Sequence, residues 1–178
     1  MSERGEPCVL YSREQIAGAV KRLATEITAD YAGKSPLVVG VLKGSFMFMA
    51  DLVRELPFAI QIDFVRVASY GHGSESSGKV TVVQGIRSPV KDRHVLIVED
   101  IIDTGLSLRY VIDSIRRKKP ASLKVCCLLD KPSRRLVPVP VNYTGFETPD
   151  KFLVGYGLDW NEQYRNLQDI CYLEAATP

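Results

Sequence analysis

The chain has 178 residues, 46% of them hydrophobic and 25% charged, with 13 glycines and 10 prolines; these proportions exclude a disordered or collagen-like chain and suit one domain of ordinary size. Lysine and arginine total 23 against 21 acidic residues, a formal charge of +2, too small for a protein that coats nucleic acid by bulk charge, so any anion site must be local. No apolar stretch approaches the ~18 residues of a membrane span, and the start MSERGEPC lacks the apolar core of a signal peptide, so the chain reads as soluble and cytoplasmic with no membrane partner.

Ser12 followed by Gln15 reads as a capping box. Ile16, Val20, Leu23, Ile27 and Tyr31 then recur at three- and four-residue steps, the apolar face of a helix that Gly33 and Pro36 end. Leu37 to Leu42 is a continuous apolar run rich in β-branched residues, the pattern of a strand covered on both faces, and Lys43-Gly44-Ser45 breaks it. From Phe46 to Leu56, the residues Phe46, Met47, Phe48, Met49, Leu52 and Val53 wrap nearly all round a helical wheel. That pattern predicts burial in the core or at a subunit contact, hence a homodimer or homotetramer.

Ile60 to Ser69 and Lys79 to Gly85 alternate as strands and could pair as a hairpin. Between them Gly71 to Gly78 is small and polar throughout, which fits a plain connector as well as a mobile lid. Val95 to Val98 is another buried-type strand, followed by a helix from about Leu106 to Lys118 that aligns Leu108, Val111, Ile112 and Ile115 before Pro120 stops it. Leu123 to Leu129 makes a further strand, and Tyr143 to Phe146, Phe152 to Gly155 and Ile170 to Leu173 are short strand candidates. The alternation argues for an α/β domain with a mainly parallel sheet. Cys8, Cys126, Cys127 and Cys171 include no C-x-x-C pair and have only His72 and His94 to assist them, so no structural metal site is expected.

Open parallel sheets bind ligands beyond the carboxyl ends of their strands, which directs attention to Val98-Glu99-Asp100-Ile101-Ile102-Asp103-Thr104-Gly105-Leu106-Ser107. Backbone N–H groups of Thr104 to Ser107 at a helix N-terminus, joined by two hydroxyls, would cradle a phosphate monoester, and Gly105 permits close approach. Glu99 and Asp100 repel each other in a crevice but can accept hydrogen bonds from the vicinal hydroxyls of a sugar and attract Mg2+. The same spacing also fits Asp103 as a helix cap and Glu99 and Asp100 as solvated loop residues. In Gly40-Val41-Leu42-Lys43-Gly44-Ser45 the lysine precedes the second glycine, and no G-x-G-x-x-G occurs. Kinase, nucleoside triphosphatase and dehydrogenase readings are thereby set aside.

VLIVEDIIDTGLS resembles the phosphoribosyl pyrophosphate signature of the type I phosphoribosyltransferases and matches their hypoxanthine-guanine branch. VGVLKGSFMFMADL, IDFVRVASYG, CLLDKPSRR and GFETPDKFLVGYGLDWNEQYR extend the match, in order, across nearly the whole chain. The resemblance implies a mainly parallel twisted sheet flanked by helices, under a small hood built from N- and C-terminal segments. It also implies a single domain over residues 1–178, with a flexible active-site loop at about 69–79.

The resemblance implies residue roles as well. Asp103, Thr104, Gly105, Leu106 and Ser107 would grip the 5′-phosphate, while Glu99 and Asp100 would hold the ribose hydroxyls, with Mg2+ bridging these to pyrophosphate. Leu42-Lys43-Gly44 matches a pyrophosphate loop with a non-proline cis peptide between its first two residues. Asp103 would face purine N7 as a proton acceptor. Lys131 would donate to O6, favouring 6-oxopurines over adenine. Trp160 would stack on the base, Leu153 would read its edge through the backbone, and Asp159 would assist a second Mg2+. Arg165 would bind pyrophosphate, and Ser69 and Tyr70 would belong to the loop that closes over it. In isolation, Lys131 also fits a surface lysine and Trp160 a core tryptophan.

The implied activity is Mg2+-dependent purine salvage, in which phosphoribosyl pyrophosphate and hypoxanthine or guanine give IMP or GMP plus pyrophosphate, with no nucleic-acid partner. The alternative is a non-catalytic or bifunctional RNA-binding regulator on the same fold. That regulator family carries a tyrosine where Asp103 stands and lacks the D-K-P-S-R-R run. A purine repressor would need an added DNA-binding domain, for which the residues before the first expected strand, at Leu37, are too few.

Overall fold

The computed structural model describes residues 5–70 and 79–174. Its elements are β1 (Pro7–Tyr11), α1 (Arg13–Tyr31), β2 (Leu37–Leu42), α2 (Phe46–Arg54), β3 (Gln61–Tyr70), β4 (Lys79–Gln84), β5 (His94–Ile102), α3 (Leu106–Arg116), β6 (Ser122–Asp130), a 3-10 turn (Pro132–Arg134), β7 (Tyr143–Glu147), β8 (Phe152–Val154) and β9 (Ile170–Leu173). The loop expected at Gly71 to Gly78 lies outside the described residues.

Six strands form one sheet in the order β4-β3-β2-β5-β6-β7, parallel throughout except for β4 at the edge, which pairs antiparallel with β3 as the predicted hairpin. Alternate residues of the central strands serve opposite faces. Val38, Leu96, Val98, Cys126 and Leu128 pack with Val20, Leu23 and Ile27 of α1 and with Phe48 and Leu52 of α2. Leu37, Val39, Val95, Ile97 and Val125 pack with Leu108, Val111, Ile112 and Ile115 of α3. Burial on both faces explains why β2 and β5 read as unbroken apolar runs, each fully buried aliphatic side chain contributing about 1.5–3 kcal/mol.

Local signals set the helix ends. In the capping box of α1, Ser12 N donates to Gln15 Oε1 at 2.8 Å and Gln15 N donates to Ser12 Oγ. α2 stops at Arg54, short of the expected Leu56, because the Glu55 and Leu56 amides tighten back onto Leu52 and Val53 before Pro57. No helix among the described residues is long and apolar enough to cross a membrane.

A second, antiparallel sheet in the order β1-β9-β8 forms the hood. It corrects the expectation that the first strand begins at Leu37. β1 carries no clear alternation and is a strand because its backbone pairs with β9, Pro7 opposite Leu173 and Val9 opposite Cys171. Val154, Cys171 and Leu173 make the hood's own small core, packed by Trp160, Tyr164 and Leu167.

Candidate active site

β2, β5 and β6 run parallel and present their carboxyl ends along one edge, where two cavities adjoin. The smaller, about 240 Å³, is walled by Glu99, Asp100, Asp103, Thr104, Gly105 and Ser107. The larger, about 590 Å³, is bounded by Lys43 and Gly44, by Lys131, and by hood residues that include Phe152, Leu153, Asp159 and Arg165. Asp100 and Asp103 line both cavities and form the seam between them. The volumes suit small ligands. A more apolar groove of about 420 Å³ lies between α1 and α2; of its carboxylates Asp51 and Glu55, Asp51 is already engaged by Tyr156 and Arg54.

The wall of the smaller cavity is the first turn of α3. Gly105 has φ +84°, and a Cβ there would stand 2.9 Å from the Val137 carbonyl oxygen, so only glycine fits. The Thr104 carbonyl accepts from the amides of Leu136 (3.0 Å) and Val137 (3.3 Å), which ties this loop to the chain after the 3-10 turn. The helix N-terminus supplies partial positive charge and unpaired amides, a natural anion site.

Glu99 and Asp100 are only 7% and 9% exposed. Burial, then the neighbouring Asp100 charge, pushes the Glu99 carboxyl well above the usual range, and burial also raises Asp100. Two buried acids so perturbed call for hydroxyl donors or a cation. A Cβ on Gly44 would overlap the Asp100 carboxylate, so glycine lets the loop after β2 lie directly against that acid. The Leu42–Lys43 peptide in this loop is cis.

Hood residues meet that loop from above. Lys43 Nζ pairs with Glu162 Oε2 at 2.8 Å. Arg165 pairs with Asp159 (2.7 Å) and Glu162 (3.3 Å) and donates to the Gly157 carbonyl at 2.7 Å. Gly157 has φ +100°, and a Cβ there would overlap the Gly44 carbonyl oxygen.

At the far end of the larger cavity, Lys131 is 5% exposed and donates to the Lys151 carbonyl at 2.5 Å; burial lowers its pKa. Asp103 Oδ1 accepts from Arg134 Nε at 3.0 Å. Phe152 lines the cavity, and Trp160 packs edge-on behind it, with ring centroids 5.0 Å apart and planes at 85°.

Residues 10–161 match the family of the phosphoribosyl transferase domain. A hypoxanthine-guanine phosphoribosyltransferase from Streptococcus pneumoniae R6 is 48% identical over 166 residues, 93% of this chain and 92% of the relative. The chain belongs to the hypoxanthine-guanine phosphoribosyltransferase family. A family member from Bacillus subtilis 168 is 46% identical over 168 residues, 94% of this chain and 93% of its own. The crystal structure of another from Bacillus anthracis, with a HEPES molecule in its active site, superposes with a TM-score of 0.89 at 45% identity, covering 96% of this chain and 99% of that one.

Of the residues singled out from the sequence, Glu99, Asp100, Asp103, Thr104, Gly105 and Ser107 meet at the smaller cavity, and Lys43, Gly44, Lys131, Leu153, Asp159 and Arg165 at the larger. Leu106 lines neither; its amide donates to Thr104 Oγ1 at 3.4 Å. Ser69 and Tyr70 close β3 opposite Val80 and Lys79. Trp160 lines neither cavity and packs against the hood core, just before Asn161 and Glu162, both at positive φ. Phe152 is the aromatic that sequence reasoning missed. Its one signal in the sequence was a phenylalanine opening a short apolar run. Among the described residues no three His, Cys, Asp or Glu side chains converge on one metal position, and Asp159 faces Arg165 and the Glu162 amide.

Proposed function

We propose that this enzyme transfers the 5-phosphoribosyl group of phosphoribosyl pyrophosphate to N9 of hypoxanthine or guanine, yielding IMP or GMP and pyrophosphate in cytoplasmic purine salvage. The observation that carries the reading is the seam. Asp100 and Asp103 border both an anion cradle and an aromatic-walled cavity, which supports a ligand whose sugar bridges a phosphate and a flat base.

In this reading the amides of Asp103 to Ser107, with the Thr104 and Ser107 hydroxyls, hold the 5′-phosphate. Glu99 and Asp100 accept hydrogen bonds from the ribose 2′- and 3′-hydroxyls. Lys43, Gly44 and Arg165 bind the departing pyrophosphate. Phe152 stacks on the base, taking the part first given to Trp160, the Leu153 backbone meets the purine edge, and the Lys131 ammonium donates to O6. Asp103 accepts the proton that N9 attack leaves to be lost at N7. Ser69 and Tyr70, which end β3, are assigned to pyrophosphate binding by the resemblance.

Two adjacent buried carboxylates, both raised by burial even with the Arg165 charge acting on Asp100, suit Mg2+, which takes hard oxygen donors and keeps several of its ligands from water and substrate. Glu99 and Asp100 would hold one ion through the ribose, and Asp159 would serve a second. When bound, Mg2+ neutralises charge growing on the leaving group. Phe46 at 39% exposure on the apolar α2 supports a homodimer or homotetramer.

The test is direct. Purified protein with Mg2+ and phosphoribosyl pyrophosphate should convert hypoxanthine to IMP, followed by ultraviolet absorbance. No turnover of any oxopurine, together with tight RNA binding, would overturn the reading in favour of a regulator.

A further inference from the structure

We infer that Arg134 is a positioning residue for the transfer, fixing the Asp103 carboxylate from outside the cavity so that its second oxygen is left to face the base. The inference rests on the reading of Asp103 as the group opposite purine N7.

Asp103 stands on the loop between β5 and α3 with its side chain 42% exposed, so burial alone does not fix its orientation. Its Oδ1 accepts from Arg134 Nε at 3.0 Å, and its Oδ2 has no hydrogen-bond partner among the described residues. Arg134 also reaches the other way, with one terminal nitrogen 3.7 Å from Asp150 Oδ2. The planar guanidinium is thus strung between two carboxylates, and contact with both limits its rotation.

The backbone beneath Arg134 is fixed as well. Pro132 opens its 3-10 turn, and the Arg134 amide donates to the Lys131 carbonyl at 3.1 Å. On either side of the turn, Lys131 N donates to the Ile102 carbonyl (3.0 Å) and Leu136 N to the Thr104 carbonyl (3.0 Å). Both ends of the turn are therefore tied to the residues that flank Asp103.

Arg134 itself lines neither cavity, whereas Asp103 lines both. Its action on the reaction is through Asp103. An ion pair this exposed adds little to stability. What it sets is the direction of one carboxylate, and rate falls steeply when a reacting group is misplaced.

Arg134→Ala should lower kcat for IMP formation about tenfold while leaving KM for phosphoribosyl pyrophosphate within about twofold and the thermal midpoint unchanged. Arg134→Lys should recover part of the loss, because an ammonium can reach Asp103 without also spanning to Asp150. In an Asp103→Asn background, Arg134→Ala should add no further loss. An equal loss in both backgrounds, or full kcat in the single Arg134→Ala variant beside a crippled Asp103→Asn enzyme, would overturn the inference alone. Full activity in Asp103→Asn would instead overturn the reading of Asp103, and the inference with it.

Discussion

Replacing Gly157 by alanine tests the contact through which the hood sets the loop after β2, proposed to bind pyrophosphate. The residue holds φ +100°, and the atom its new Cβ would strike is the backbone carbonyl oxygen of Gly44, which has no rotamer to escape into. Holding alanine in that backbone region costs about 1–3 kcal/mol. Relieving the overlap moves Gly44 by roughly 1 Å, and a shift of that size near reacting groups costs up to about a hundredfold in rate or affinity. Gly44 is also packed against Asp100, so its retreat disturbs an acid proposed to hold the ribose. We expect KM for phosphoribosyl pyrophosphate to rise at least about tenfold. For a chain of this length the thermal midpoint should fall by about 2–12 °C. Gly33→Ala is the control, since Gly33 has φ +72° with open space where a Cβ would go. It isolates backbone strain from collision and should leave KM unchanged. Steady-state kinetics with phosphoribosyl pyrophosphate varied, beside calorimetric melts of both variants, decide the matter. A Gly157→Ala enzyme that keeps the wild-type KM, however it melts, refutes the reasoning.

Lys131→Met removes the donor proposed for O6 and should raise KM for hypoxanthine by about 10–100-fold with little change for phosphoribosyl pyrophosphate; competing-substrate kinetics should show adenine less strongly rejected. Phe152→Leu should raise KM for the purine about three- to tenfold, more than Trp160→Phe does, and the reverse ranking would return the base-facing role to Trp160. Asp63 is pushed upward by burial, but amides of Ser88 (2.7 Å), Phe64 (2.7 Å) and Arg87 (2.9 Å) donate to it and hold its pKa below the ordinary aspartate value. A depressed folded-state pKa contributes stability above the unfolded value that is lost as pH falls through the folded one. Urea melts should therefore show wild type weakening below about pH 4, and Asp63→Asn changing less over that window. Parallel pH profiles for the two proteins would disprove that account.

What could be read from the sequence was whatever short-range chemistry dictates. Ser12 and Gln15 cap a helix because the bonds close within one turn, and β2 and β5 announce themselves because burial on two faces leaves no room for polar alternation. Gly105 and the acids before it were legible only in part: their spacing fitted a phosphate cradle and a capped helix with solvated acids alike, and the resemblance chose between them. β1 was hidden because its partner lies at the other end of the chain. That Phe152 rather than Trp160 lines the larger cavity was not legible, because it depends on how the hood is folded, with Asn161 and Glu162 in a backbone conformation rarely taken by non-glycine residues. Arg134 stood in a run already noticed for its resemblance, yet its pairing with Asp103 depends on how two loops cross. Glu162, which joins Lys43 to Arg165, carried no spacing signal at all.

The order of strands in the hood has a bearing on how the protein is made. Its middle strand, β9, comes last in the chain, and its first, β1, comes almost at the beginning. Until β9 has been made, β1 lacks the strand it pairs with. The three-stranded hood is therefore complete only once β9 has joined β1 and β8, and a polypeptide cut before Ile170 should lack the sheet packed beneath the turn that brings Gly157 and Glu162 to Gly44 and Lys43.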